Sequence, residues 1–101
     1  NEPGHDIVFM SGGDATCRPQ TEAWLKLHYP EITQHNRGIG WTLHMRPAGD
    51  MRKDSVVKAE LFDKWICGNY RVLCVFDDRQ QVVRMWRALG LTVMQVAEGD
   101  F

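Results

Sequence analysis

The chain has 101 residues, a formal net charge of -1 and a pI near 6.5. This length is that of a single domain, which buries only roughly 60–65% of its unfolded surface. Because the overall charge is close to zero, a general attraction to nucleic acid is excluded, and a polyanion would need a local basic patch. The candidates for such a patch, whose simpler interpretation is a solvated surface, are Arg46, Arg52, Lys53 and Lys58.

Cysteine content and hydropathy predict a soluble, cytoplasmic protein. The cysteines, Cys17, Cys67 and Cys74, have no metal-ligand spacing and fit a reducing compartment. No apolar run approaches the ~20 residues of a membrane span, and no signal peptide is visible in the sequence. We therefore expect no membrane partner.

The amino-terminal half predicts a strand, a helix and a second strand. Apolar residues 7–10 end in a glycine-rich turn over residues 11–14. Pro19 suits the first turn of the following helix, and Pro30 suits a stop soon after it. Residues 41–46 alternate apolar and polar side chains, which is typical of a strand near a sheet edge with one wetter face.

The carboxyl-terminal half begins with a predicted amphipathic helix. Residues 54–66 have helical apolar spacing, with Lys58 on the charged side and Asp50 or Asp54 as the cap. The predicted core side of this helix carries Val56, Val57, Leu61, Phe62, Trp65 and Ile66. The tryptophans at helical core spacing, which we interpret as packing residues, are Trp24, Trp65 and Trp86.

Residues 71–90 are the most informative stretch of the chain. Residues 72–76 are continuously apolar, which predicts a strand covered on both faces. Asp77 and Asp78 follow this strand at once, and helical spacing begins at Gln80. The two carboxylates therefore occupy a strand-to-helix turn, at the edge where ligands bind open α/β sheets.

The order of elements predicts an α/β fold. Four strands, the last within residues 92–96, alternate with helices, as in a doubly wound parallel sheet. Right-handed crossovers would bring the ends of the first and third strands to one edge. The turn at Ser11 and Gly12 would then face the same ligand as Asp77 and Asp78.

Three groups of residues are candidates for chemistry, and each has a simpler interpretation. Ser11 and Gly12 offer a hydroxyl and an amide to a phosphate oxygen, although a glycine turn needs no ligand. Asp77 and Asp78 suit a hard cation such as Mg²⁺, although one aspartate can simply cap the next helix. Lys53 would place positive charge near a phosphoryl group, although a surface ion pair is an equal alternative.

Three segments provide a more specific signal. Residues 49–58, 77–86 and 95–101 closely resemble the 3′-phosphatase domain that ends bacteriophage-type polynucleotide kinase/phosphatases. That domain belongs to the haloacid dehalogenase-like (HAD) phosphatases. The resemblance covers essentially the whole chain. It therefore implies one HAD-like domain over residues 1–101, with a Rossmann-like, three-layer α/β/α parallel sheet.

The resemblance also implies roles for the candidate residues. Ser11 and the Gly12 amide would bind phosphoryl oxygens, and Lys53 would bind the phosphoryl group and stabilise its charge as a catalytic residue. Asp77 and Asp78 would hold Mg²⁺ directly or through water, with Asp78 also acting in catalysis. The implied substrates are 3′-phosphorylated DNA or RNA ends, in nucleic-acid repair in a phage-infected or bacterial cell.

Two departures from the family pattern change these expectations. The family's Asp-x-Asp-x-Thr segment, which holds the nucleophile and its acid partner, would precede Asn1, so we expect the chain alone to be inactive. The family also tends to carry arginine where this chain has Gly13, for which Arg18 is the candidate replacement.

The absent Asp-x-Asp-x-Thr segment would also be the first, central strand of the sheet. A homodimer or an exchanged strand would close the gap between the strands that end at Ser11 and Asp77.

Two other functions stay open. The first is a non-catalytic module that self-associates or binds nucleic-acid ends through Ser11, Lys53 and nearby arginines. The second is a small-molecule phosphatase of the HAD class, since a fold does not determine its substrate.

Overall fold

The computed structural model of the chain describes residues 6–34 and 40–99. The described strands are β1 (Asp6–Asp14), β2 (Gly40–Arg46), β3 (Val75–Asp77) and β4 (Val93–Gln95). The described α-helices are α1 (Arg18–His28), α2 (Pro30–Thr33), α3 (Asp54–Leu61) and α4 (Gln80–Ala88). A 3₁₀ turn, Ala15–Cys17, precedes α1, and a π-helical turn, Phe62–Ile66, extends α3.

The internal contacts divide the chain into two units, Asn1–Asp50 and Met51–Phe101, which we call the amino unit and the carboxyl unit. In the described residues, β1 pairs with β2 in the amino unit and β3 pairs with β4 in the carboxyl unit, both in parallel. The predicted α/β class with parallel strands is confirmed. The prediction of one domain over the whole chain and that of a missing central strand stay predictions.

The amino unit is built on the β1–β2 pair. Its core is formed by Leu25, Leu43 and Met45, against which Phe9, Ala15 and Trp41 pack. The prediction of a turn over residues 11–14 is wrong, because β1 continues to Asp14, the register partner of Arg46. The pairing register shifts between Ser11 and Asp14, so the two intervening glycines are accommodated as a bulge within the strand.

The carboxyl unit packs α3 and α4 against each other and places α4 on the β3–β4 pair. Val57, Val82 and Val83 are its most deeply buried large side chains, and Trp86 is also buried. The predicted helix stops are confirmed, since Gly68 and Gly90 both have positive φ, where a residue without Cβ is favoured.

One prediction about β3 is wrong. The strand is shorter than residues 72–76, and it is not covered on both faces, because Phe76 is 64% exposed and Leu73 is 60% exposed. Phe76 is the register partner of Met94, which is also exposed. Helix α4 contacts both strands of this sheet, while Phe76 and Met94 remain exposed.

The predicted faces of α3 also need correction. Its buried residues are Asp54, Val57, Lys58 and Leu61, which have i, i+3, i+4, i+7 spacing. Lys58 is therefore buried rather than on the solvent side, whereas Val56 and Trp65 are about half exposed. The predicted caps are also wrong, since Lys53 is the N-cap residue of α3 and its side chain makes no capping hydrogen bond.

In the described ranges, 6–34 and 40–99, no helix is long and apolar enough to cross a bilayer.

Candidate active site

The carboxyl unit contains a buried cluster of charged side chains centred on Lys58. The Lys58 Nζ lies 3.7 Å from Oδ2 of Asp54 and 3.4 Å from Oδ2 of Asp77. The side chains of these three residues are only 10%, 5% and 11% exposed, in the order Lys58, Asp54, Asp77. Arg79 adds a second cation, with Nη1 at 3.3 Å from Oδ2 of Asp54.

Local structure explains how these residues meet. Asp54 and Lys58 are one helical turn apart on α3, so their side chains share its buried stripe. Asp77 is the last residue of β3, and Arg79 is the N-cap residue of α4. The site thus combines one helix face with the strand-to-helix turn that the sequence singled out.

The Asp77 carboxylate is held by four donors. Its Oδ1 accepts hydrogen bonds from the backbone N–H groups of Asp78, at 2.9 Å, and Arg79, at 3.3 Å. Its Oδ2 accepts from Lys58 Nζ at 3.4 Å and from the indole Nε1 of Trp86 at 3.2 Å. Trp86 is therefore both a packing residue, as predicted, and a hydrogen-bond donor to the candidate site.

Burial makes the cluster interdependent. Two buried carboxylates face two cations, so removing one member leaves an uncompensated charge in a poorly solvated place. Such an arrangement adds little to stability compared with an apolar core, yet it is costly to break. This cost distinguishes the cluster from an ordinary surface ion pair and makes it the candidate site of the carboxyl unit.

Asp78 differs from Asp77 in the exposure and in the hydrogen bonding of its side chain. Its side chain is exposed, and its carboxylate accepts no hydrogen bond from any described residue. Its backbone is fixed, because the N–H donates to Asp77 and the carbonyl accepts from Nε2 of Gln95 at 3.1 Å. Asp78 thus presents a free carboxylate on a rigid backbone.

Lys53 is placed at the start of α3 with an exposed side chain. Its backbone carbonyl accepts from the N–H groups of Val56 and Val57, whereas its ammonium forms no ion pair within the described ranges. The structure therefore brings Lys58, and not Lys53, against Asp77, one of the two predicted metal-binding aspartates. Sequence reasoning missed the roles of Lys58 and Asp54. Their spacing of four residues was a readable signal for an ion pair on one helix face, but not for the burial of that pair.

Ser11 and Gly12 belong to the amino unit. The Ser11 Oγ accepts a hydrogen bond from the Gly13 N–H at 3.0 Å, which leaves the hydroxyl hydrogen available as a donor. The Gly12 carbonyl accepts from Nε of Arg46 at 2.8 Å, and Nη1 of Arg46 donates to the carbonyl of Asp50. Arg46 therefore fixes the bulge and the following turn. The predicted meeting of these residues with Asp77 and Asp78 stays a prediction.

Two further groups in the amino unit have perturbed titration. Hydrogen bonds from the backbone N–H groups of Gly49 and Thr16, and from the Thr16 hydroxyl, lower the pKa of Asp14 below its usual 3.8. Burial, with a smaller contribution from the charge of Arg18, lowers the pKa of His44 below 6.5. Arg18 is occupied, since its Nη2 donates to the Leu43 carbonyl and its Nε pairs with Glu22.

The carboxylates of Asp77 and Asp78 are the candidate ligands for Mg²⁺. In the described part of the chain, no group of three or more His, Cys, Asp or Glu residues is placed to hold a metal ion. Mg²⁺ needs fewer, since it uses one or two carboxylates and fills its other positions with water and phosphate oxygens. The free carboxylate of Asp78 fits a direct ligand, whereas Asp77, with both oxygens occupied, fits a contact through water.

The α/β fold with parallel strands, and the acid pair at the end of β3, agree with the HAD-like phosphatase class that the sequence resemblance implies. A model of the family described as the polynucleotide kinase PNKP phosphatase domain matches residues 1–101. The chain belongs to this family.

Two proteins are similar to nearly the whole chain, and the first of them carries a name that agrees with this family. The chain is 42% identical, over 91% of its length, to a putative bifunctional polynucleotide kinase/RNA ligase of Autographa californica nuclear polyhedrosis virus. It is 29% identical, over 96% of its length, to a probable deoxyribonuclease RhsA of Dickeya dadantii (strain 3937). It spans only 13% of the viral protein and 7% of the bacterial one.

Solved structures give the same result for the fold. A chain from a Pnkp1/Rnl/Hen1 complex superposes with a TM-score of 0.81 and 39% identity over 95% of this chain. A chain from the Pnkp1/Rnl/Hen1 RNA repair complex gives a TM-score of 0.80, also with 39% identity. This chain covers 31% and 29% of those two chains, respectively.

Proposed function

We propose that the chain is the Mg²⁺-dependent phosphohydrolase part of a nucleic-acid repair enzyme that removes phosphate from 3′-phosphorylated polynucleotide ends. The observation that carries the proposal is the buried cluster in which Lys58 lies between Asp54 and Asp77, the residue that directly precedes Asp78 in the chain. The names of the viral relative and of the RNA repair complex point to RNA ends, whereas the bacterial relative is named a deoxyribonuclease, so RNA and DNA ends are both candidates.

Within this proposal, Lys58 supplies the fixed positive charge for the phosphoryl group. An ammonium held between two carboxylates stays oriented, and in a poorly solvated site its charge acts more strongly than in water. Lys53, the residue implied by the sequence resemblance, remains the alternative, because it lies at the amino end of the same helix. Ser11 and the Gly12 amide would bind phosphoryl oxygens.

When bound, Mg²⁺ would neutralise charge on the phosphate. Asp78 would hold the ion directly and Asp77 would hold it through water. The role of the protein is then to keep these carboxylates in place. Lys58, Trp86 and two backbone N–H groups fix Asp77, and Gln95 fixes the backbone of Asp78.

We further propose that the 101-residue chain is inactive by itself, because its sequence contains no Asp-x-Asp-x-Thr segment to provide a nucleophile. The test compares two proteins, the chain as it stands and the chain extended upstream by a strand with that segment. Phosphate release from a 3′-phosphorylated RNA oligonucleotide is measured with Mg²⁺ and with EDTA.

Activity of the extended chain alone, dependent on Mg²⁺ and lost in Asp78→Asn, is the expected result. In that protein Lys58→Gln should lower kcat far more than Lys53→Gln, whereas the reverse order would assign the role to Lys53. DNA oligonucleotides and nucleoside monophosphates, assayed in parallel, separate a repair enzyme from a small-molecule phosphatase. Release of phosphate by the unextended chain would contradict the predicted inactivity.

A second candidate function is self-association without catalysis. It is favoured by exposed apolar residues in and directly after the β3–β4 sheet, which are Phe76, Met94 and Val96. A second copy of the chain, or an exchanged strand, would cover them. Light scattering on the 101-residue chain should then give a dimer mass, and Phe76→Lys with Met94→Lys should give a monomer. A monomer at high concentration in the unsubstituted chain would exclude this candidate.

A further inference from the structure

An open polar cavity of about 470 Å³ lies in the carboxyl unit. Its described lining residues are Gln80, Arg84, Gln95, Glu98 and Gly99. This volume is in the range of small-ligand sites, which is roughly 300–1,000 Å³. Arg84, Glu98 and Gln80 are not part of the candidate active site.

The cavity adjoins the candidate metal-binding residue. Gln95 lines it and at the same time donates from Nε2 to the carbonyl of Asp78 at 3.1 Å. The backbone N–H of Gln80 donates to the Gly99 carbonyl at 2.6 Å, which fixes the tail against the first residue of α4. A molecule in the cavity would therefore lie beside the backbone that carries the Asp78 carboxylate.

The lining offers both donors and acceptors. Nε2 of Gln95 also donates to Oε1 of Gln80 at 3.0 Å. This bond leaves the Gln80 amide N–H₂ and the Gln95 amide oxygen without a partner in the described residues. Arg84, one helical turn after Gln80, is exposed, and neither it nor Glu98 forms an ion pair within the same ranges.

This set of groups fits a nucleotide better than an isolated phosphate. A guanidinium suits a phosphodiester oxygen, whereas the carboxylate of Glu98 would repel a second anionic group. Amide donors and acceptors, together with a carboxylate, match the hydrogen-bonding edge of a nucleobase. Proteins recognise single-stranded RNA in part through hydrogen bonds to the edges of bases that are splayed out of a helix.

We propose that the cavity binds one nucleotide of a single polynucleotide strand, with Arg84 on a backbone phosphate and Gln80, Gln95 and Glu98 on the base. The inference rests on the proposed function in one respect, because it makes this strand the one whose 3′ end is processed. Binding of the strand itself does not depend on catalysis.

The test measures binding of a fluorescent single-stranded RNA oligonucleotide to the 101-residue chain by anisotropy. Two forms of the same oligonucleotide are used, one ending in a 3′-phosphate and one in a 3′-hydroxyl. Arg84→Gln should raise Kd about tenfold for both forms and lower the slope of log K against log salt by about 0.7. Arg71→Gln, which removes the same charge from an exposed residue outside the cavity, should leave Kd nearly unchanged.

A second pair of variants tests the side-chain amide of Gln80. Gln80→Glu keeps the acceptor for Gln95 but replaces the N–H₂ donor by a charged oxygen, so it should weaken binding as much as Arg84→Gln. Gln81→Glu is the matched control, because Gln81 lies on the same helical turn and its Oε1 accepts from the Ser55 N–H instead. Equal effects of each variant and its control, or no binding by the unsubstituted chain, would overturn the proposal.

The two proposals can fail separately. If the extended chain releases 3′-phosphate and Arg84→Gln leaves its KM unchanged, the cavity proposal is wrong and the phosphatase proposal stands. If Arg84→Gln weakens binding of both oligonucleotides but the extended chain releases no phosphate, the cavity is a strand-binding site and the phosphatase proposal is wrong.

Discussion

The two units differ in the burial and in the hydrogen-bond partners of their polar residues. In the carboxyl unit, Lys58, Asp54 and Asp77 are buried and bind one another through side chains. In the amino unit, Ser11 and Asp14 are more accessible, and their oxygens accept hydrogen bonds mainly from nearby backbone N–H groups. The first arrangement holds charges in place, whereas the second shapes the end of a strand.

This difference indicates where chemistry is expected. Desolvating charge costs free energy, so a buried acid–base cluster adds little to stability and is a candidate for another role. Serine and aspartate that accept hydrogen bonds from backbone N–H groups need no such explanation, because such bonds are common in turns and at strand ends. The sequence offers Ser11 and Asp77 equally as candidate site residues, whereas the structure favours Asp77.

The largest expected effect is that of Lys58→Met. Removal of the ammonium leaves Asp54 and Asp77 buried with less compensation, so we expect a loss of about 3 kcal/mol in the free energy of unfolding. Lys53→Met, which makes the same change on an exposed side chain, should alter it by less than about 0.5 kcal/mol. Urea denaturation followed by circular dichroism measures both.

A double-mutant cycle sharpens this result. If Lys58 is buried against Asp77, the pair Lys58→Met and Asp77→Asn should be less destabilising than the sum of the two single changes, by about 1 kcal/mol or more. Additive effects, or equal losses for Lys53→Met and Lys58→Met, would mean that the cluster is not buried as described.

The adjacent aspartates provide the next comparison. Asp77→Asn replaces an acceptor oxygen that faces several donors, so it should cost about 1–3 kcal/mol of stability. Asp78→Asn changes an exposed side chain and should cost less than about 0.5 kcal/mol. In the extended chain both substitutions should abolish Mg²⁺-dependent phosphate release. An equal loss of stability for both would contradict the separate roles assigned to these neighbours.

The sequence predicted the elements better than it predicted burial. Apolar spacing located α3 and α4 within a few residues, and Gly68 and Gly90 marked their ends, because these signals are local. The burial of Lys58 could not be read in the same way, because it depends on Asp77, which is nineteen positions along the chain. The exposure of Phe76 has a similar origin, since its local pattern does not say whether anything covers the strand.

A smaller, pH-dependent effect is expected in the amino unit. The folded-state pKa of His44 is lowered from 6.5, so below pH 6.5 the unfolded chain binds the proton more readily than the folded chain. Stability should therefore fall as the pH drops from about 6.5 through the lowered folded pKa. His44→Gln should reduce this slope in urea midpoints measured between pH 7.5 and 5. An unchanged slope would show that His44 is not the group responsible.

The smallest effect concerns Asp14, whose exposed carboxylate is held by Thr16 and Gly49. Its folded pKa is lowered from 3.8, so its contribution to stability is present above that pH and is lost as the pH falls through the lowered value. Thr16→Val removes only the hydroxyl donor, and the backbone N–H donors, which contribute more, remain. We expect an NMR titration of the carboxyl carbon to show a partial rise in the pKa of Asp14 in this variant. A full return to 3.8 would mean that the hydroxyl, rather than the backbone, holds the carboxylate, and the contrast with the side-chain cluster around Lys58 would then disappear.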